Sequence, residues 1–441
     1  MRLIFILGIV TVGGWYAVRS PFHALLFYVW NAYFRPENWA FWHADLITSL
    51  RISYVAASLI VGWTLLSGRR LRVDGRVMLL LAFTAQGLLS TWLSDYNDWA
   101  WRWYVEFVKV IVITYFMTVL VDDLAKLRML VLTIVLSLGC EGAQQGWVEF
   151  FTRPGGANTN TIPFLGDNNG VAIGMLMLVP WVSALARTTD NRWARRGYAA
   201  LLIGIVYRAI TTYSRGALLA GATLGLVYLV RSPRKGRIVL VILVISAIVL
   251  PVLPSAFWQR MGTIIEGQDT RDASALGRLY FWGVALEMAS GHPFVGVGFN
   301  AFNAAYNAYD PSVGEFGSDR SVHSMWFGVL SELGYPGLLL FLLIFGATIR
   351  SCWLVRRSAA LSPEHGVLAE YALALEICLA VFFVGGTFLA NQYNEMAWHY
   401  VGLGMVLRNL TESYDSRATE QAGSSAPLFP ASSGATQGSF A

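Results

Sequence analysis

Long apolar runs recur along the whole chain, at 49–66, 77–94, 103–121, 127–150, 165–186, 198–213, 215–230, 238–253, 322–349, 367–390 and 396–407. Most approach the roughly 20 residues that a helix needs to cross the hydrocarbon of a bilayer. The runs are continuous rather than alternating, which points to helices and away from barrel strands. With 56% hydrophobic and 13% charged residues in 441, a soluble globule is excluded. The expected fold is an all-α polytopic membrane protein with about 12 transmembrane helices. Residues 3–34 leave the first spans open, because Arg19-Ser20-Pro21 either breaks one long span or separates two short ones. No small-residue cleavage site follows the first apolar stretch, which therefore reads as an uncleaved helix rather than a signal peptide.

Short loops flanking spans carry Lys and Arg preferentially on the cytoplasmic side. That places 67–76 (Arg69, Arg70, Arg72, Arg76), 187–197, 231–237 (Arg231, Arg234, Lys235, Arg237) and 350–366 inside, joined by 122–128. The loops at 35–48, 95–102, 151–164 and 391–395 hold one basic residue or none and are expected outside. The same alternation makes 254–321 one large external loop with short helices. It lies between an N-terminal transmembrane bundle (1–253) and C-terminal transmembrane helices (322–410). Residues 411–441, rich in Ser, Ala, Gly and Thr, read as a disordered cytoplasmic tail. The net charge of +5 is spread over short loops, so it reports topology rather than a nucleic-acid face. Cys140, Cys352 and Cys378 are too dispersed for a disulfide framework or a metal-ligand spacing.

Against this apolar background a few polar clusters stand out as candidates for function. Tyr213-Ser214-Arg215 opens the 215–230 run, so the Arg215 guanidinium lies beside exposed helix N–H groups, as in an anion site. The plainer reading is an arginine snorkelling from a helix end. Arg208, seven residues earlier, lies on nearly the same helix face; it either reinforces a positive cleft or pairs with Glu106, Glu141 or Glu376. Asp272 to Ser274 are expected to cap a helix carrying Arg278 and Trp282 on one face, at i and i+4. Pro293-Phe294-Val295-Gly296-Val297-Gly298-Phe299 is a tight glycine turn that lacks the flanking strand and lysine of a nucleotide loop. His323 and Ser324 start a helix interrupted at Gly334-Tyr335-Pro336-Gly337, and an imidazole near a helix N-terminus suits a base at neutral pH or simply a cap. Glu332 falls half a turn away from His323 in a regular helix and reads as a structural carboxylate. Asp167-Asn168-Asn169 either caps the 165–186 run or contacts sugar. The aromatics Trp39, Trp42, Trp99, Trp101 and Trp103 suit an interfacial belt first and a sugar platform second.

Several of these residues resemble those of the O-antigen ligase and polymerase superfamily, and more closely the O-glycosylation ligases associated with exosortase systems. The likeness rests on Tyr213-Ser214-Arg215-Gly216-Ala217 and on Gly277-Arg278, Trp282 and Pro293-x-x-Gly296-x-Gly298-Phe299. It rests equally on His323-Ser324 with Glu332-Leu333-Gly334-x-x-Gly337, and on Asp167-Asn168-Asn169. The resemblance implies a GT-C-like glycosyltransferase in the bacterial inner membrane, with its site facing the periplasm. It would move a glycan from an undecaprenyl diphosphate carrier to a protein or lipid acceptor, without metal, nucleotide or other cofactor. Carried over by position, Arg215 and Arg278 would hold the diphosphate and His323 would assist the acceptor. Ser214, Ser324, Trp282, Asp167, Asn168, Asn169 and Arg208 would bind substrate. Fixed guanidinium groups suit a leaving group whose charge grows as the glycosidic bond breaks, and an acceptor hydroxyl needs a base such as imidazole. Arg208 and the 312–320 stretch depart from the family pattern. A polymerase shares this architecture, while a polysaccharide transport or export subunit would place charges along a mid-membrane path between inverted repeats.

Overall fold

In this computed structural model of the chain, residues 2–40, 43–68, 71–231, 235–262 and 273–424 are described. Trp42, Arg69, Arg70, Arg234 and Asp272, all assigned parts above, lie outside them, as do residues 425–441 of the expected tail. Among the described residues the regular structure is helical, apart from an isolated bridge between Ile162 and Gly166. Six of these helices are long and apolar enough to cross a membrane: Arg2–Arg19, Ala44–Leu66, Asn97–Leu120, Asn168–Arg187, Met325–Arg357 and Pro363–Gly386. A bent pair, Ile238–Val252 with Ser255–Gly262, raises the number to seven if it counts as one broken span. This is an all-α membrane protein.

Local chemistry explains where helices start and stop. Ser20 is extended (φ −154°, ψ 131°) between the Arg2–Arg19 and Pro21–Phe34 helices, so the N-terminal segment is two helices rather than one. Pro21 has no N–H to donate into a preceding turn, and its ring disfavours a helical residue before it. Asp74, Asp123, Asp167, Asn191 and Ser362 each cap a helix with a side-chain acceptor. The last helix continues from Glu395 to Ser424. Residues 411–424 are therefore helical where composition predicts disorder, because the helix propagates from the buried Met396–Leu410 packing rather than from its own sequence.

Without a hydrophobic driving force between helices in lipid, close approach depends on small residues. The Leu124–Thr152 and Arg192–Ile210 helices cross where a Cβ on Gly146 would lie 2.1 Å from the Gly204 carbonyl oxygen. A second close approach organises the other half of the chain. Within the Met325–Arg357 helix, Gly334 leaves helical geometry (φ 67°, ψ −174°) and Pro336 has no N–H to give. The carbonyl of Glu332, freed by that proline, accepts instead from Ser90 Oγ (2.7 Å) and Gly298 N (3.3 Å). Val297 N donates to Ser331 O, and Tyr335 N to Pro293 O, both at 2.9 Å. The Pro293–Phe299 turn thus docks on the helix break and satisfies the backbone groups exposed there, as nonhelical backbone within a membrane protein requires. Beside it the buried Glu332 carboxylate accepts from Phe302 N (3.3 Å) and Gln392 Nε2 (3.0 Å).

The docking leaves no room for a side chain at Gly296, where φ is +70° and a Cβ would lie 2.2 Å from the Glu332 carbonyl carbon. Gly296→Ala is expected to destabilise the protein by about 3 kcal/mol or more, combining left-handed strain with overpacking against backbone. Thermal unfolding in detergent followed by size-exclusion chromatography checks this; a melting curve matching that of wild type would mean the turn is not docked as described.

Candidate active site

Two helix starts meet first. Asp167 Oδ1 accepts from Gly170 N at 2.8 Å and so caps the Asn168–Arg187 helix, while Asn169 Nδ2 donates back to Asp167 Oδ2 at 3.2 Å. Asn169 Oδ1 accepts from Ser214 Oγ at 2.7 Å, and the same hydroxyl oxygen accepts from Ala217 N at 3.2 Å. Ser214 therefore ties the start of the Arg215–Arg231 helix to the start of the Asn168–Arg187 helix. Both helices turn their positive N-terminal ends to one place, where Arg215 and Asn169 line a cleft of about 710 Å³.

The Ala273–Gly291 helix supplies Arg278 and Phe281 to that cleft, and the residue preceding the Ser324 cap supplies His323. The third wall is the 310–320 stretch. Asp310 accepts from Tyr280 Oη, Ser312 Oγ (2.7 Å), Ser312 N (3.0 Å) and Gly314 N (2.8 Å). These donors, the Tyr280 hydroxyl first, pull its carboxyl down to about 2. Phe316 stacks on Tyr280 at 4.5 Å, and Asp319 exchanges hydrogen bonds with Asn307 at 2.9 and 3.0 Å. Held this way, the stretch presents Glu315, Phe316 and Arg320 to the cleft.

Arg215, Arg260, Arg278 and Arg320 thus line one cavity, and among the described residues that line it Glu315 is the one carboxylate. Guanidinium groups gathered in this way are suited to a multiply charged anion. His323 faces it with a left-handed backbone (φ 48°), a conformation that costs a non-glycine residue on the order of 1–3 kcal/mol and persists only where neighbours enforce it. Its ring centroid is 6.3 Å from that of Phe281. Burial, followed by the charges of Arg278 and Arg320, lowers its proton affinity below the ordinary histidine value, and Asp167 partly opposes this. The imidazole is thereby available as a base at neutral pH.

Of the residues singled out in the sequence, Arg215, Arg278, His323 and Asn169 line the cleft directly. Ser214 and Asp167 stand one step back and position it. Ser324 is fully buried, and its hydroxyl has no hydrogen-bond partner among the described residues. Trp282 stacks on Phe327 at 5.1 Å instead of lining the cleft. Asn168 is half-buried in the first turn of its helix and does not line it either. Arg208 is fully buried away from the cleft, donating to Gln145 Oε1 (2.8 Å), Asn158 O (3.4 Å) and Asn160 O. Glu106 and Glu376 pair with Lys109 and Arg356. Arg208 therefore pins the 158–160 segment from below and does not extend the positive cleft. Sequence reasoning missed Arg260 and assigned no role to Arg320. A signal was present: the segment 254–321, expected to be one external loop, holds four arginines, Arg260, Arg271, Arg278 and Arg320, and no lysine. Three of the four line the cleft, and Arg271 lies outside the described residues.

Residues 199–342 match the family model described as O-Antigen ligase, which takes in Arg215, Arg260, Arg278, Arg320 and His323. Residues 1–188 match a family of unknown function (DUF5935), which takes in Asp167 and Asn169. No curated protein matches the chain. Over the segment that supplies most of the cleft, the chain is similar to the O-antigen ligases, which supports a function of the membrane glycan ligase or polymerase type.

Proposed function

We propose that this protein is a GT-C-like glycan ligase of the inner membrane. In this reading it transfers a glycan from an undecaprenyl diphosphate carrier to a protein or lipid acceptor at the periplasmic face, without a metal. Kinship with exosortase-associated O-glycosylation ligases belongs to the same proposal. The observation that carries it is the convergence of four arginines and His323, from four separate stretches of chain, on one cleft. The diphosphate lies among Arg215, Arg278 and their neighbours, with the anomeric carbon toward His323. An acceptor hydroxyl oxygen attacks that carbon while His323 takes its proton. The bond from the anomeric carbon to the diphosphate oxygen breaks, and its electron pair leaves with the undecaprenyl diphosphate. The guanidinium groups hold the leaving diphosphate more strongly as its charge grows, which is how they lower the barrier.

The deciding experiment is transfer by purified protein from a synthetic undecaprenyl diphosphate glycan. Glycan appearing on an added acceptor supports a ligase; lengthening of the glycan on the carrier instead would replace the ligase with a polymerase, and the absence of both products would overturn the proposal. With positive charge supplied by guanidinium groups, the rate is expected to stay unchanged in EDTA. Restoration of an EDTA-abolished rate by Mg²⁺ or Mn²⁺ would contradict the metal-free reading. Orientation is tested separately in spheroplasts. Val313, 92% exposed beside the cleft, should as Val313→Cys react with a membrane-impermeant thiol reagent, and Ser358→Cys should not. The reverse pattern would put the cleft on the cytoplasmic side.

A further inference from the structure

A second cavity of about 750 Å³ lies between the Pro21–Phe34, Ile52–Leu66 and Asn97–Leu120 helices and the start of the Glu395–Ser424 helix. Its chemistry differs from that of the cleft. Arg35 and Lys109 face Glu37, Glu106 and Glu395, two cations against three carboxylates, so the lining holds no positive excess and does not favour an anion. Lys109 Nζ is already engaged, donating to Glu106 Oε1 and Tyr54 Oη, both at 2.7 Å. Glu395 Oε1 accepts from Tyr28 Oη at 3.4 Å. Behind it His399, fully buried, lies 3.7 Å away through Nε2 and meets Tyr33 Oη through Nδ1 at 3.1 Å. Glu395 is thus held by the Tyr28 hydroxyl and lines the cavity, with His399 behind it beyond hydrogen-bond distance.

Aromatic side chains accompany these polar groups: Tyr54, Trp103 and Tyr393, the last stacked at 4.1 Å on buried Phe299. A lipid tail would need an apolar lining, which the protein has elsewhere, in the cavity bounded by Phe5, Phe27 and Trp30. Aromatic rings combined with carboxylates and asparagine amides, without the positive excess an anion would need, match an uncharged polyhydroxyl compound. The position fits as well. Phe164 lines this cavity and Asn169 lines the cleft, five residues apart, so along that segment the two are separated by at most roughly 18 Å.

We infer that this second cavity is a carbohydrate site that takes uncharged sugar residues of a glycan. The assignment rests on the lining of the cavity and is independent of what the basic cleft binds.

Saturation-transfer NMR on the full-length protein in nanodiscs tests it, with a panel of methyl glycosides of hexoses and N-acetylhexosamines and their disaccharides, and with a tetra-alanine peptide as the alternative ligand. Ala57→Trp fills the cavity from the Ile52–Leu66 helix, and Glu395→Gln removes its held carboxylate. Phosphorus NMR of inorganic pyrophosphate reports on the basic cleft in the same samples. The expected result is saturation transfer to sugars that Ala57→Trp abolishes and Glu395→Gln weakens by roughly tenfold, with pyrophosphate binding kept. Should Ala57→Trp fail to fold, Glu395→Gln alone decides by the same criterion. No transfer to any sugar, transfer undiminished in the folded variants, or transfer to the peptide alone would overturn the inference. Loss of pyrophosphate binding in the wild type with sugar binding kept would count against the diphosphate reading and leave this one standing.

Discussion

His323→Ala is expected to slow glycan transfer by roughly 10²–10⁴-fold, the range attributed to a positioned general base, while donor binding is largely retained. Its place facing the cleft, beside Arg278 and ahead of a buried helix start, is the basis for this assignment. The pH dependence follows from sign. Burial and the neighbouring arginines lower the proton affinity of His323, and a base acts only when unprotonated. The wild-type rate should therefore be on its plateau at neutral pH and fall only on the acid side, through a midpoint below the ordinary histidine value. Arg320→Gln removes one of the opposing charges and should move that acid limb to higher pH; Asp167→Asn should move it lower. His323→Gln should stay slow despite keeping a hydrogen-bonding side chain. A profile flat through the acid range, with the alanine variant within a few-fold of wild type, would reduce His323 to a strained helix lead-in.

Arg278→Lys is expected to lose on the order of 10²–10³-fold in transfer, comparable with removing a donor aimed at developing charge. Lysine keeps the charge but lacks the planar fork that meets two phosphate oxygens at once. Arg215→Lys should behave alike. If both hold the same leaving group, the double variant should lose less than the product of the two single losses. Protein amounts in the membrane should stay near wild type, since both side chains line an open cleft rather than the core. Near-normal transfer by Arg278→Lys would leave the diphosphate without its proposed clamp.

The helices, their breaks and the separate polar anchors were legible in the sequence, because each depends on neighbours in the chain. Apolar runs mark helices, Ser20-Pro21 marks a restart, and Gly334 with Pro336 marks an interruption, as the structure shows. Arg215, Arg278 and His323 could be singled out because charged or titratable groups at apolar helix ends are costly to keep. Arg208 misled for the same reason. Seven residues before Arg215 it would share a helical face in a regular helix, yet its helix ends at Ile210 and its guanidinium turns to Gln145 and to the carbonyls of Asn158 and Asn160, partners 48 to 63 residues away. Local periodicity carries no information about which distant acceptors will be near. Glu332 read as a structural carboxylate, but its partners could not be named, because Phe302 N arrives from the start of a short helix and Gln392 Nε2 from the turn before the last helix. The 312–320 stretch departed from the family pattern, and only its folding onto Tyr280 makes it a wall of the cleft. What the sequence determined by itself was the set of helices and the chemistry available at their ends. Which ends converge was decided by tertiary packing, through the Gly146–Gly204 crossing, the Gly296 docking and the Ser214–Asn169 hydrogen bond. Each of these joins segments whose separation along the chain exceeds any helical period, so no reading of neighbours could supply it.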